Sequence, residues 1–165
     1  MLIESIADVP HQHLMLACRL LPSPDDHGGH GGHIIMLHES VTERILDAAM
    51  KVHTVLGAGM LESTYHQCLH YQLGVDGLHF QHQVRLSVVY QRIHLDAGYR
   101  IDFLVENCVI VELKAVEKLL PVHTAQLLSY LKLSGRHVGL LINFNVPHLR
   151  QGIRRVVNGY AADPP

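Results

Sequence analysis

Tryptophan is absent from this chain, and aromatic residues make up only 5% of its 165 residues. A core built here must therefore be aliphatic, and 48% hydrophobic residues supply enough material for one domain. Long apolar runs are missing too, so nothing approaches the ~20 residues that a helix needs to cross a bilayer. A secretion signal is not expected. The stretch "HLMLACRL" (13–20) is apolar but short, and Glu4 and Asp8 precede it where a basic region belongs. Cysteine is scarce: Cys18, Cys68 and Cys108 are odd in number and widely spaced, which gives neither a disulfide framework nor a zinc knuckle. These absences point to a reduced, cytoplasmic protein with no membrane partner.

Charge is also sparse, 17% of residues with a formal net charge of −2, but it is unevenly placed. Residues 1–84 hold three Lys/Arg against nine Asp/Glu, and residues 85–165 hold ten against six. The mildly basic second half is compatible with a polyanion partner without demanding one. Residues 1–37 differ again. "PSPDDHGGHGGH" (22–33) has no apolar period and reads as a flexible His/Gly-rich extension. His27, His30 and His33 can ligate a transition metal, although Gly spacers leave such a site unorganised and a solvated tail is the simpler reading.

From Glu39 a helical period begins, with Val41, Ile45, Leu46, Ala49, Val52 and Leu56 on one stripe and Gly57 and Gly59 ending it. A second helix is expected in "MLESTYHQCLHYQLGVDG", with Leu61, Tyr65, Cys68, Leu69 and Leu73 inside and Gly74 to Gly77 closing it. The period then becomes two. "HQVRLSVVY" (82–90) sets Val84, Leu86, Val88 and Tyr90 on one face, and "GYRIDFLV" (98–105) sets Tyr99, Ile101, Phe103 and Val105 opposite Arg100, Asp102 and Leu104. "CVIVELKAV" follows after a short link, as the return strand of a hairpin. Pro121 opens a helix that Gly135 ends. "HVGLLINF" (137–144) is a further buried strand and "GIRRVVNGY" (152–160) a short basic edge. The order is that of a mixed α/β layer fold with one sheet.

Within the apolar run "VIVELKAV" (109–116), Glu112 and Lys114 share a strand face. Buried ionised groups need partners. Two readings stand: a structural salt bridge or exposed strand end, or a functional cluster. Asp102 bears on the choice. A three-residue loop, Glu106–Asn107–Cys108, pairs Val105 with Val109 and sets Asp102 directly beside Glu112, whereas a two-residue loop sends it to the wrong face. The three-residue register is expected. Two adjacent carboxylates with a lysine one step away suit Mg²⁺ or Mn²⁺, and the Leu113 carbonyl offers one more oxygen. Such a site points to phosphodiester hydrolysis, with Lys114 positioning the nucleophile or stabilising phosphate charge.

Asp102 and the later Glu112-Leu113-Lys114 resemble the split Asp…Glu-x-Lys motif of the PD-(D/E)XK nuclease-like superfamily. "Gly59-Met-Leu-Glu62-Ser-Thr-Tyr65" is similar to the signature of the small bacterial GxxExxY family within it. The resemblance extends through "GYRIDFLVENCVIVELKAV", "LLPVHTAQLLSYLKLSG", "GLLINFN" and "GIRRVVN", covering about residues 36–160, with Ile101 where the superfamily's Pro often stands. It implies a restriction-endonuclease-like core (αβββαβ), a mixed central sheet flanked by helices, in a domain at 38–162. It implies that Asp102, Glu112 and Glu62 are metal ligands, Lys114 the catalytic lysine, and Gln126 and Tyr130 a Gln-x-x-x-Tyr element.

Other readings remain open beside these. Glu62 can simply be an N3 residue favoured by the helix dipole, Tyr65 fits the core, and Gln126 and Tyr130 can satisfy backbone groups. His123 can touch a phosphate or cap its helix. Arg100 can pair with Asp102 or bind nucleic acid. Arg150, Arg154 and Arg155 can track a nucleic-acid backbone or protect a sheet edge. The expected function is a divalent-metal nuclease acting on DNA; the alternative is a non-catalytic nucleic-acid- or protein-binding module on the same fold. A homodimer is compatible with one cutting centre per small domain. The resemblance begins near Met36, so residues 1–35 read as an upstream extension that intact mass from the native host would test.

Overall fold

The computed structural model describes residues 38–159, so the His/Gly-rich extension and its three histidines lie outside the described residues. The elements run α1 (Glu39–Leu56), α2 (Glu62–Val75), β1 (Phe80–Tyr90), β2 (Ile93–Val105), β3 (Val109–Lys114), α3 (Pro121–Ser134), β4 (Val138–Asn143) and β5 (Ile153–Val157), with a 3-10 turn at Leu149–Gly152. The strands form one five-stranded sheet in the order β1-β2-β3-β4-β5. Only β3 and β4 are parallel, because α3 supplies the crossover between them. This is the expected mixed α/β sheet with flanking helices.

Two apolar clusters divide the layers. On one face α1 and α2 bury Ile45, Ala49, Val52, Tyr65, Leu69 and Leu73 against Val109, Val111, Leu113 and Leu140. On the other, Leu127, Tyr130 and Leu131 of α3 meet Leu104, Ile110 and Leu141. β3 and β4 are covered on both sides, which is why they read as continuous apolar runs.

Several expectations need correction. α2 starts at Glu62 with Leu61 as its N-cap, and Leu61 is exposed rather than on the inner face. Gly74 lies inside that helix instead of closing it. β2 begins at Ile93, five residues before the expected strand, and its pairing with β1 shifts register between Leu86 and Val88. Strict alternation along β2 also fails. Phe103 and Val105 join the α1/α2 cluster, but Ile101 and Leu104 join the α3 cluster. The inversion falls at Asp102. Its neighbour on β1, Gln83, has φ 52, a left-handed conformation uncommon outside glycine.

Gly152 lets the turn before β5 close on β4. A Cβ there would run into the carbonyl oxygen of Asn143, which has no room to yield. Gly152→Ala should therefore cost about 1–3 kcal/mol, seen as a lower urea midpoint with an unchanged slope.

Candidate active site

The site starts where β2 and β3 part. Their ladder has three rungs, Val105↔Val109, Leu104↔Ile110 and Phe103↔Val111. The loop is Glu106–Asn107–Cys108, with φ 48 and 55 at Glu106 and Asn107, so the three-residue register is the one found. Continued by one residue, that register sets Asp102 beside Glu112. Side chains take over there from the ladder. The Asp102 N–H donates to Glu112 Oε1 at 3.3 Å, and the Leu113 N–H donates to Asp102 Oδ2 at 2.9 Å. Each acid thus satisfies an amide of the other's strand.

Glu112 is 3% exposed. Burial first, and then the Asp102 charge, push its pKa up to about 8. Lys114, whose Nζ lies 3.6 Å from Glu112 Oε2, and the Asp102 N–H oppose the rise without cancelling it. A plain salt bridge therefore does not account for the arrangement: the lysine leaves the two acids short of positive charge. That deficit is what a divalent cation supplies.

The donor set fits a hard ion. Mg²⁺ is usually held by one or two carboxylates, with water and substrate oxygens completing the shell. Among the described residues no three His, Cys, Asp or Glu side chains form a ready-made cage, so Glu62 is not gathered with the acid pair as a third direct ligand. It is nevertheless brought to the same end of β3, where its Oε2 accepts the Ala115 N–H at 3.2 Å. It stands as the first residue of α2, not at N3. Tyr65 belongs to the core: its hydroxyl donates to the Gly57 carbonyl at 2.7 Å and accepts the Met60 N–H, and its ring stacks on Phe144. The motif's tyrosine fixes the loop that delivers Glu62.

On the α3 side, Gln126 Nε2 donates to Tyr130 Oη at 2.7 Å; the two bond each other, not the backbone. Burial raises the Tyr130 pKa, with the Glu112 and Asp102 charges adding to the rise despite the Gln126 bond. The phenol therefore stays protonated beside the acids, as a hydrogen-bond donor.

The basic residues are more dispersed. Arg100 is exposed and, among the described residues, forms no ion pair with Asp102. His123 caps α3, its Nδ1 accepting the Leu120 N–H at 3.1 Å. Arg154 is level with Glu112, both pairing with Leu141, but two strands away; Arg155 is its neighbour on β5 and so points to the other face. Arg150 is exposed in the 3-10 turn.

Sequence reasoning missed a second half of the site. A cavity of about 590 Å³ on the α2 face joins Glu62 and Asp102 to His66, His70, His82 and Gln83. Gln83 Nε2 lies 3.2 Å from His66 Nε2 and donates to Asp102 Oδ1 at 3.4 Å. The i, i+4 spacing of His66 and His70 was the available signal. Asn143 was also missed; buried at the end of β4, it holds the Val116 N–H and C=O and so fixes the segment after Lys114.

A family model described as the PD-(D/E)XK nuclease superfamily matches residues 39–156. The chain belongs to that superfamily, and its fold is restriction-endonuclease-like. Nucleases of this class generally use divalent metal ions and act on nucleic acids. No curated protein and no solved structure matches the chain significantly. No helix among the described residues is long and apolar enough to cross a membrane.

Proposed function

We propose that the chain is a Mg²⁺- or Mn²⁺-dependent nuclease that hydrolyses phosphodiester bonds in DNA, on the GxxExxY branch of its superfamily. The observation that carries this reading is the buried Asp102–Glu112 pair, which Lys114 leaves incompletely neutralised. Asp102 and Glu112 would hold the ion together with the Leu113 carbonyl, with Glu62 held at the same end of β3 by the Ala115 N–H. When bound, the ion polarises a phosphoryl oxygen and makes a water more acidic. Lys114 would place its ammonium against the phosphate charge and orient the attacking water. Gln126 orients the Tyr130 hydroxyl as a donor to the same phosphate. Arg100, His123, Arg154 and Arg155 are the residues assigned to contact the nucleic-acid backbone. The domain spans 38–162, follows the extension at 1–37, and works in the cytoplasm, where a homodimer suits cleavage of duplexes.

The test is incubation with plasmid and single-stranded DNA in Mg²⁺ or Mn²⁺. Cleavage by the wild type that Glu112→Gln abolishes is the expected result. DNA binding with no cleavage in either metal would assign the fold to a non-catalytic module instead.

A further inference from the structure

Three rungs attach β2 to β3, yet β1 and β2 go on pairing with each other from Phe80 to Tyr90 and from Ile93 to Val105. The hairpin therefore continues past the sheet as a two-stranded ribbon. Within it Arg85 pairs directly with Arg100 across the two strands. Both are exposed, and among the described residues neither has an acidic partner. Like charges placed directly opposite destabilise a sheet. The ribbon gains nothing internal from this arrangement, but it presents a paired cation to an outside anion.

The face is equally telling. Leu86 and Ile101 pack into the α3 cluster, and the Tyr99 ring lies 6.2 Å from that of Tyr130. By alternation Arg85 and Arg100 stand on the other face, on the side of the cavity that holds His66, His82 and Asp102. The inversion at Gln83 and Asp102 produces this: without it the arginines would turn toward α3. Arg100 lies two residues, about 7 Å of extended chain, from Asp102. Arg92 stands exposed at the ribbon's turn. Between Val84 and Ile101 the sequence carries three arginines against one acid, Asp96.

We propose that the β1–β2 ribbon is an arm that grips a nucleic-acid phosphate backbone, with Arg85 and Arg100 as a paired clamp beside Asp102. This rests on the reading that the chain acts on nucleic acid, and it assigns the surface that holds the substrate. A phosphate between the two guanidiniums turns their repulsion into charge-assisted hydrogen bonds. A two-stranded ribbon is also slim enough to enter a DNA groove.

The test uses the full chain with fluorescently labelled duplex and single-stranded oligonucleotides in EDTA, so that binding is read without cutting. Anisotropy is followed from 50 to 200 mM salt. Arg85→Ala/Arg100→Ala should weaken binding by about tenfold or more and reduce the salt slope by about 2. Its melting temperature should match or exceed that of the wild type, since a repulsion has been removed. Unchanged affinity and slope overturn the arm, as does a wild type that binds neither oligonucleotide. A variant altered only in sedimentation makes the ribbon a self-interface and overturns it too. Wild-type binding that depends on the clamp, without cleavage in Mg²⁺ or Mn²⁺, sinks the nuclease reading and leaves the arm standing.

Discussion

Lys114→Ala should bind Mn²⁺ almost as the wild type does and cut DNA about 10³-fold more slowly. The ammonium is no ligand; it lies 3.6 Å from Glu112 Oε2, with its side chain 14% exposed. Its removal leaves the acid pair in place but takes away the group assigned to stabilise charge at the phosphate, and loss of one such donor costs about 10²–10³ in rate. Asp102→Ala should behave differently, losing both metal affinity and cleavage. Lys114→Arg should not restore the rate, since a planar fork does not replace a point charge on this short reach. Calorimetric Mn²⁺ titration and single-turnover cleavage separate the two effects. Equal loss of metal binding in Lys114→Ala and Asp102→Ala would refute the division of roles.

In EDTA, Glu112→Gln should make the chain more stable than the wild type at pH 9 and bring the two together at about pH 4. The folded-state pKa of Glu112, about 8, stands above its ordinary value of 4.5, because burial and Asp102 disfavour the charge. The folded chain therefore holds a proton that the unfolded chain releases. The stability linked to that proton is complete below about 4.5 and is lost as pH rises through about 8. The gap is worth on the order of 5 kcal/mol. Glutamine carries no charge to lose, so the variant should lack this part of the pH slope. Urea midpoints at both pH values provide the measurement, and parallel slopes in the two chains would contradict it. In the wild type near neutral pH, Mn²⁺ binding should also release about one proton, because the ligand must be deprotonated.

The outline of the fold was legible because periodicity changes sharply along the chain. The stripe of Ile45, Ala49 and Val52 marks α1, the continuous aliphatic runs mark β3 and β4, and Pro121 and Gly135 bracket α3. The Asp102–Glu112 contact was legible too, since a three-residue loop determines which residues oppose each other. What pattern reading lost was the break in alternation. A left-handed Gln83 carries no sequence mark of the kind glycine would give, and it reverses which side chains share a face. The cavity histidines and Gln83 escaped for the same reason: α2 and β1 meet only in three dimensions. Arg154 and Arg155 looked like a joint basic patch in the sequence, but as neighbours on a strand they point apart.

The reciprocal hold between Asp102 and Glu112 closes the seam where the strands separate, and under the proposed function each carboxylate has a second duty as a ligand for the ion. Asparagine and glutamine keep one accepting oxygen, enough for the amide that each acid holds across the seam, and lose the charge and the second acceptor. A descendant carrying either amide would keep its architecture and its basic ribbon, yet it would have nothing with which to cut. Under the proposed function, a single acid-to-amide substitution separates an enzyme from an inert nucleic-acid clasp of the same fold.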